Sequence, residues 1–216
     1  MKKAALYTEF ALLFVALPLA YLFLPVHISP LPVLWTAALY CYLMLRRDAG
    51  FPKARLWNRA SIGSQLRSII TIFIAVAIML GIGVVWYAPR LLFELVRERP
   101  LLWGLIMVLY PVLSVYPQSI VYRAFLMHRY AELAGGAYVE NRQSSILIFL
   151  SAVAFAFMHI IFRNPLAVVM TFAGGLLFAW RYRRSDSLAA SALEHSLYGC
   201  LMFTLGLGRY FYHGRL

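Results

Sequence analysis

Three short stretches of an otherwise apolar chain carry groups able to move protons or hold a developing charge. The first is Gln-Ser-Ile-Val-Tyr-Arg, in which Ser119 and Arg123 stand four apart, on one helix face, with Gln118 beside them. The second sets Phe155 and His159 at the same spacing, and the third holds Glu194 next to His195, with Gly199 four residues beyond. A carboxylate near an imidazole in low dielectric is poised as a general base, and donors aimed at an oxyanion give the largest catalytic term. His159, His195 and Glu194 also have zinc-ligand chemistry. Without a His-Glu-x-x-His pair, the reading taken is no metal and no cofactor.

The composition explains why these groups stand out. Of 216 residues 63% are hydrophobic and 13% charged, against about half and about a quarter in a soluble domain. One core cannot hide that much apolar surface, so lipid must cover the rest. The net charge of +12 would suit nucleic acid in a soluble chain, but here the basic residues lie between apolar runs. That pattern sets membrane orientation, and nucleic acid is excluded as a partner. Cys41 and Cys200 both sit in apolar runs and argue for neither a disulfide nor a metal cluster.

The elements that position the polar groups follow from the stretches lacking Asp, Glu, Lys and Arg. Phe10–Leu45, cut by Pro25, Pro30 and Pro32, holds two spans, and is too long for a removable signal peptide. Ser68–Pro89, Pro100–Tyr122, Gln143–Phe162, Asn164–Trp180 and Ser187–Gly208 add five, the last interrupted only by Glu194. Each approaches the ~20 residues an α-helix needs to cross ~30 Å of hydrocarbon. The expected fold is an all-α polytopic transmembrane bundle of about seven spans. It forms a single integral membrane domain over 1–216, with the motifs in 100–208. An N-terminus in the cytoplasm leaves 13 basic residues inside and 6 outside, which supports N-in, C-out. Tyr210, Phe211 and Tyr212 fit an outer aromatic belt, and Gly50–Arg67 reads as an interfacial amphipathic helix or a solvated basic loop. Gly174, Gly175 and Ala179 offer small-residue helix contacts. A hairpin through Gly135–Asn141 sets Gln118 and His159 at nearly equal height, ~26 Å from the turn.

Tyr-Pro-Gln-Ser-Ile-Val-Tyr-Arg-Ala-Phe-Leu, then Phe-Ala-Phe-Met-His, then Leu-Glu-His-Ser-Leu-Tyr-Gly resemble the three successive motifs of the CPBP family. These intramembrane glutamic proteases include the CAAX prenyl endopeptidases and bacterial bacteriocin-processing or self-immunity proteins. The family motifs are Glu-Glu-x-x-x-Arg, Phe-x-x-x-His, and a His commonly followed four later by Asn. The resemblance implies that the first Glu and the second-motif His activate water while the third-motif His and Asn hold the oxyanion. Arg123, Phe155, His159 and His195 match; Gln118 and Ser119 replace both glutamates, and Gly199 replaces the Asn. Gln cannot take a proton at neutral pH, and Ser has no basicity.

Two substitutes for the base lie within the chain: Glu194 from another helix, or Ser119 as a nucleophile with His159 as its base. The expected function is an intramembrane endopeptidase acting on a membrane-anchored or lipidated peptide, with Phe155 and Gly199 against the substrate. The resemblance places it in a bacterial plasma membrane. The alternative is a catalytically inactive scaffold or substrate-binding partner. A transporter is a third class, for which no inverted repeat is evident.

Overall fold

The computed structural model describes residues 3–23, 29–133 and 145–211, and every regular element among them is helical. Helix α1 is Lys3–Phe23, with a wide π turn over Leu12–Ala16. Helix α2 is Pro30–Arg47, and a 3-10 turn at Lys53–Leu56 precedes α3, Ala60–Tyr87. After the short α4, Glu94–Glu98, helix α5 runs over Pro100–Arg129. Helix α6, Ser145–Met158, continues as a 3-10 turn, His159–Phe162. Helices α7, Pro165–Ser185, and α8, Leu188–Thr204, complete the bundle before a last 3-10 turn at Leu207–Phe211.

Local sequence sets these boundaries. Asn164 accepts from the amides of Leu166 and Ala167 at 2.9 and 3.4 Å, and Pro165 opens α7. Proline suits the first helical position, where its missing N–H is no loss. Ser187 caps α8 by accepting from the Ala190 amide at 3.2 Å. Arg163 and Asp186, both left-handed, turn the chain between α6, α7 and α8. In α5, Pro111 and Pro117 cannot donate to the helical ladder, and π turns lie at Pro111–Val115 and Ile120–Phe125. Arg123 sits inside the second of these turns.

Five helical stretches are long and apolar enough to cross a membrane: Lys3–Phe23, Lys53–Tyr87, Pro100–Arg129, Ser145–Phe162 and Pro165–Ser185. The protein is a helical membrane bundle, and the expected seven spans are not reached among the described residues. Helix α8 has only 17 residues, with Glu194 and His195 near its middle. Helix α2 spends four of its 18 on Pro30, Pro32, Arg46 and Arg47. The expected separate element at Gly50–Arg67 is instead a 3-10 turn followed by the first eight residues of α3. At 28 residues, α3 is ~42 Å long, so its basic end overhangs ~30 Å of hydrocarbon. The turn at Pro25, the hairpin Gly135–Asn141 and Tyr212 lie outside the described residues.

Apolar side chains divide between lipid and core. Ile70, Ile74, Ile78 and Ile82 on α3, and Leu101, Leu105, Val108 and Val112 on α5, form exposed stripes at helical spacing. Tyr122, Phe125, Phe155, Phe178 and Tyr198 are buried between α5, α6, α7 and α8. A Cβ on Gly175 would lie 2.9 Å from the Ala152 Cα, which is the close α6–α7 approach expected of small residues; Gly174 meets only the Phe178 ring. Ser151 donates to the Tyr122 carbonyl at 2.7 Å, tying α6 to the wide turn of α5, and Ser191 donates to the Phe178 carbonyl at 2.8 Å, tying α8 to α7. These two bonds bracket the motif residues.

Candidate active site

Arg123 is the centre of the site. It is fully buried, and its Nε, Nη1 and Nη2 have no hydrogen-bond partner among the described residues. Its Cζ lies 4.1 Å from the Phe155 ring centre and 5.5 Å from that of Phe178. A desolvated cation over an aromatic face gains about 2 kcal/mol. Burying an ion still costs several kcal/mol after relaxation, so the rings alone do not balance the charge.

The two motif imidazoles meet at the same rings. His159 is edge-on to Phe155 at 4.7 Å between ring centres, and His195 is edge-on to Phe155 at 5.4 Å. His195 also stacks on Phe178 at 4.4 Å with 20° between the planes. The His159 Nδ1 lies 2.7 Å from the Phe155 carbonyl oxygen. A carbonyl only accepts, so Nδ1 carries the proton, and in the neutral form of the ring Nε2 is the basic nitrogen. The His195 Nδ1 is buried with no partner among the described residues. Helices α5, α6, α7 and α8 thus converge on one cluster of Arg123, Phe155, His159, Phe178 and His195.

The other candidates are placed differently. Glu194 is fully buried, and both its carboxylate oxygens accept from Arg181, Oε2 from Nε at 2.8 Å and Oε1 from Nη2 at 3.0 Å. Arg181 also donates to Gln65 Oε1 at 2.7 Å and Ser68 Oγ at 3.2 Å on α3. The expected approach of Glu194 to the imidazoles is therefore corrected: its carboxylate closes an ion-pair network joining α3, α7 and α8. The zinc trio of His159, His195 and Glu194 is not assembled, and among the described residues no three His, Cys, Asp or Glu side chains gather. Gln118 Nε2 donates to Ser114 Oγ at 2.8 Å, and Ser119 Oγ donates to the Val115 carbonyl at 2.8 Å. Both stay on their own helix, so neither answers Arg123, and Ser119 Oγ does not pair with His159.

Gly199 meets another residue that the motifs leave out. A Cβ at this position would collide with the Tyr110 ring, which occupies the space a family Asn would need. Tyr110 also stands edge-on to His195 at 6.5 Å. It lies one residue before Pro111 and outside every motif, so only the packing of α5 on α8 reveals it. Phe178 likewise carries no motif signal. Arg181 was legible: it lies six residues before Ser187 and Glu194 seven after it, and an antiparallel hairpin brings such residues near one another.

No curated protein and no solved structure matches the chain. A match does come from protein families, over residues 97–201, the segment that supplies Tyr110, Arg123, Phe155, His159, Phe178 and His195. Over that segment the chain is similar to the Type II CAAX prenyl endopeptidase Rce1-like family, of the CPBP group of membrane proteases.

Proposed function

We propose that this protein holds a membrane-anchored or lipidated peptide at the Arg123–His159–His195 cluster and does so without glutamate-driven hydrolysis. The observation that carries this reading is the fate of the carboxylates. Gln118 and Ser119 replace the motif glutamates, and the intramembrane carboxylate of Glu194 is spent on Arg181. Water beside the imidazoles then has no carboxylate base among the described residues, while the aromatic and cationic surroundings suited to a peptide segment persist. The segment enters from the cytoplasmic half of a bacterial plasma membrane, with the N-terminus of this protein in the cytoplasm.

Peptide-bond hydrolysis is the second reading, favoured by one specific observation. The His159 Nδ1–H bond to the Phe155 carbonyl leaves Nε2 free to take a proton from water, so His159 would act as base and His195 would face the oxyanion. Reconstituted protein with a prenylated peptide separates the two. The binding reading expects saturable binding and no cleavage above that of empty vesicles, with cleavage appearing or rising in the Gln118→Glu, Ser119→Glu double variant. Cleavage by the unmodified protein that is lost in His159→Ala would replace it with the hydrolytic reading.

A further inference from the structure

Among the described residues, no carboxylate pairs with Arg123. The described carboxylates engaged in ion pairs belong to other cations: Glu9 to Arg129, Asp48 to His128, Glu94 to Arg209, Asp186 to Arg55 and Glu194 to Arg181. The Tyr110 and Tyr122 hydroxyls lie within electrostatic reach of the guanidinium, yet they are neutral and make no hydrogen bond to it. Three orphaned donors of Arg123 and the orphaned Nδ1 of His195 flank the same Phe155 and Phe178 rings. A buried cation persists when an anion shares its cavity.

We propose that Arg123 and the His195 Nδ1 form a binding site for a carboxylate supplied from outside the chain. One guanidinium beside a neutral imidazole balances one negative charge, which fits a carboxylate and leaves a phosphate dianion overcharged. The planar fork of Arg also matches two carboxylate oxygens side by side. His195 donates through Nδ1 as a third contact. Tyr110 and His159, both half-buried, are the members of the cluster that reach the surface. The site is the one described above, but the inference needs neither a lipidated ligand nor hydrolysis, so its failure and that of the proposed function are distinguishable.

The test is binding to the full-length protein in detergent. Four probes are titrated: a hydrophobic tripeptide with a free C-terminal carboxylate, the same tripeptide as its amide, butyrate, and inorganic phosphate. The free tripeptide should bind and raise the melting temperature, with the amide weaker by about tenfold or more, the ratio expected when a charge-assisted bidentate contact is lost. Butyrate competing with it assigns the carboxylate alone as the ligand; no competition assigns the peptide C-terminus as its source. Arg123→Gln should abolish the difference between acid and amide. Ser119→Glu, which places a carboxylate one turn from Arg123, should abolish it as well. Equal binding of acid and amide overturns the proposal, even if Arg123→Gln does not fold. Preference for phosphate over both carboxylates overturns it too.

Discussion

Glu194 shows how one intramembrane carboxylate can serve structure rather than chemistry. With its partner Arg181 wholly buried, deleting one member leaves an uncompensated ion, at a cost of about 3–5 kcal/mol. Glu194→Ala should therefore lower the thermal midpoint strongly, and the Arg181→Met, Glu194→Met pair should recover most of it. An equal drop in single and double variants would show that the pair is not the cause. A second residue-scale case lies at the end of a span, with Asp48 outside it. His128 Nε2 donates to Asp48 at 2.9 Å, and this bond, aided by the Gly50 amide, holds the Asp48 carboxyl below its ordinary range. Stability from this bond is complete above the unfolded pKa near ~3.9 and fades as pH falls through the lower folded value. In His128→Ala the acid limb of a thermal-stability profile should move up toward ordinary carboxylate pH; an unmoved limb would count against the contact.

Among the helices, glycine positions test packing against propensity. Gly81 and Gly83 on α3 have open space where a Cβ would go. Alanine there should stabilise by about 0.5–1 kcal/mol, since the helix loses only backbone freedom. Gly175 faces the Ala152 backbone, and Gly175→Leu should push α6 from α7 at a cost of about 1–3 kcal/mol or more, with loss of ligand binding. Gly199→Asn restores the family residue yet should destabilise, because the Tyr110 ring fills that volume. Adding Tyr110→Ala should relieve the clash, and thermal denaturation of the single and double variants reads it directly. A fully stable Gly199→Asn would mean that the ring swings aside.

For the whole bundle, orientation rests on basic residues clustered near Arg46, Arg47, Lys53, Arg55 and Arg59. A cysteine placed at Asp48, in a chain freed of Cys41 and Cys200, should react with a membrane-impermeant reagent only after the cells are opened. Labelling of intact cells would reverse the topology. The ion pair between Arg55 and Asp186, at 3.2 Å, puts the α7–α8 turn on the same face as this basic loop. A cysteine at Asp186 should therefore label with the same sidedness as one at Asp48.

Much of this protein was determined by its sequence alone. The absence of charge over stretches of about 20 residues dictates membrane helices, because backbone polar groups in lipid must be satisfied internally. Motif order and spacing mark Arg123, Phe155, His159 and His195, since each lies on a helix whose periodicity is local. The direction of each side chain across the bundle was a tertiary matter. Glu194 and His195 are neighbours in sequence but project about 100° apart on a helix, so one joins Arg181 and the other joins the Phe155 and Phe178 rings. The wide turns of α5 rotate faces that a regular helix would keep, and α8 takes its place through packing rather than length. Only the assembled bundle shows that Arg123 has no anion among the described residues, because that depends on how the carboxylates of other helices are paired.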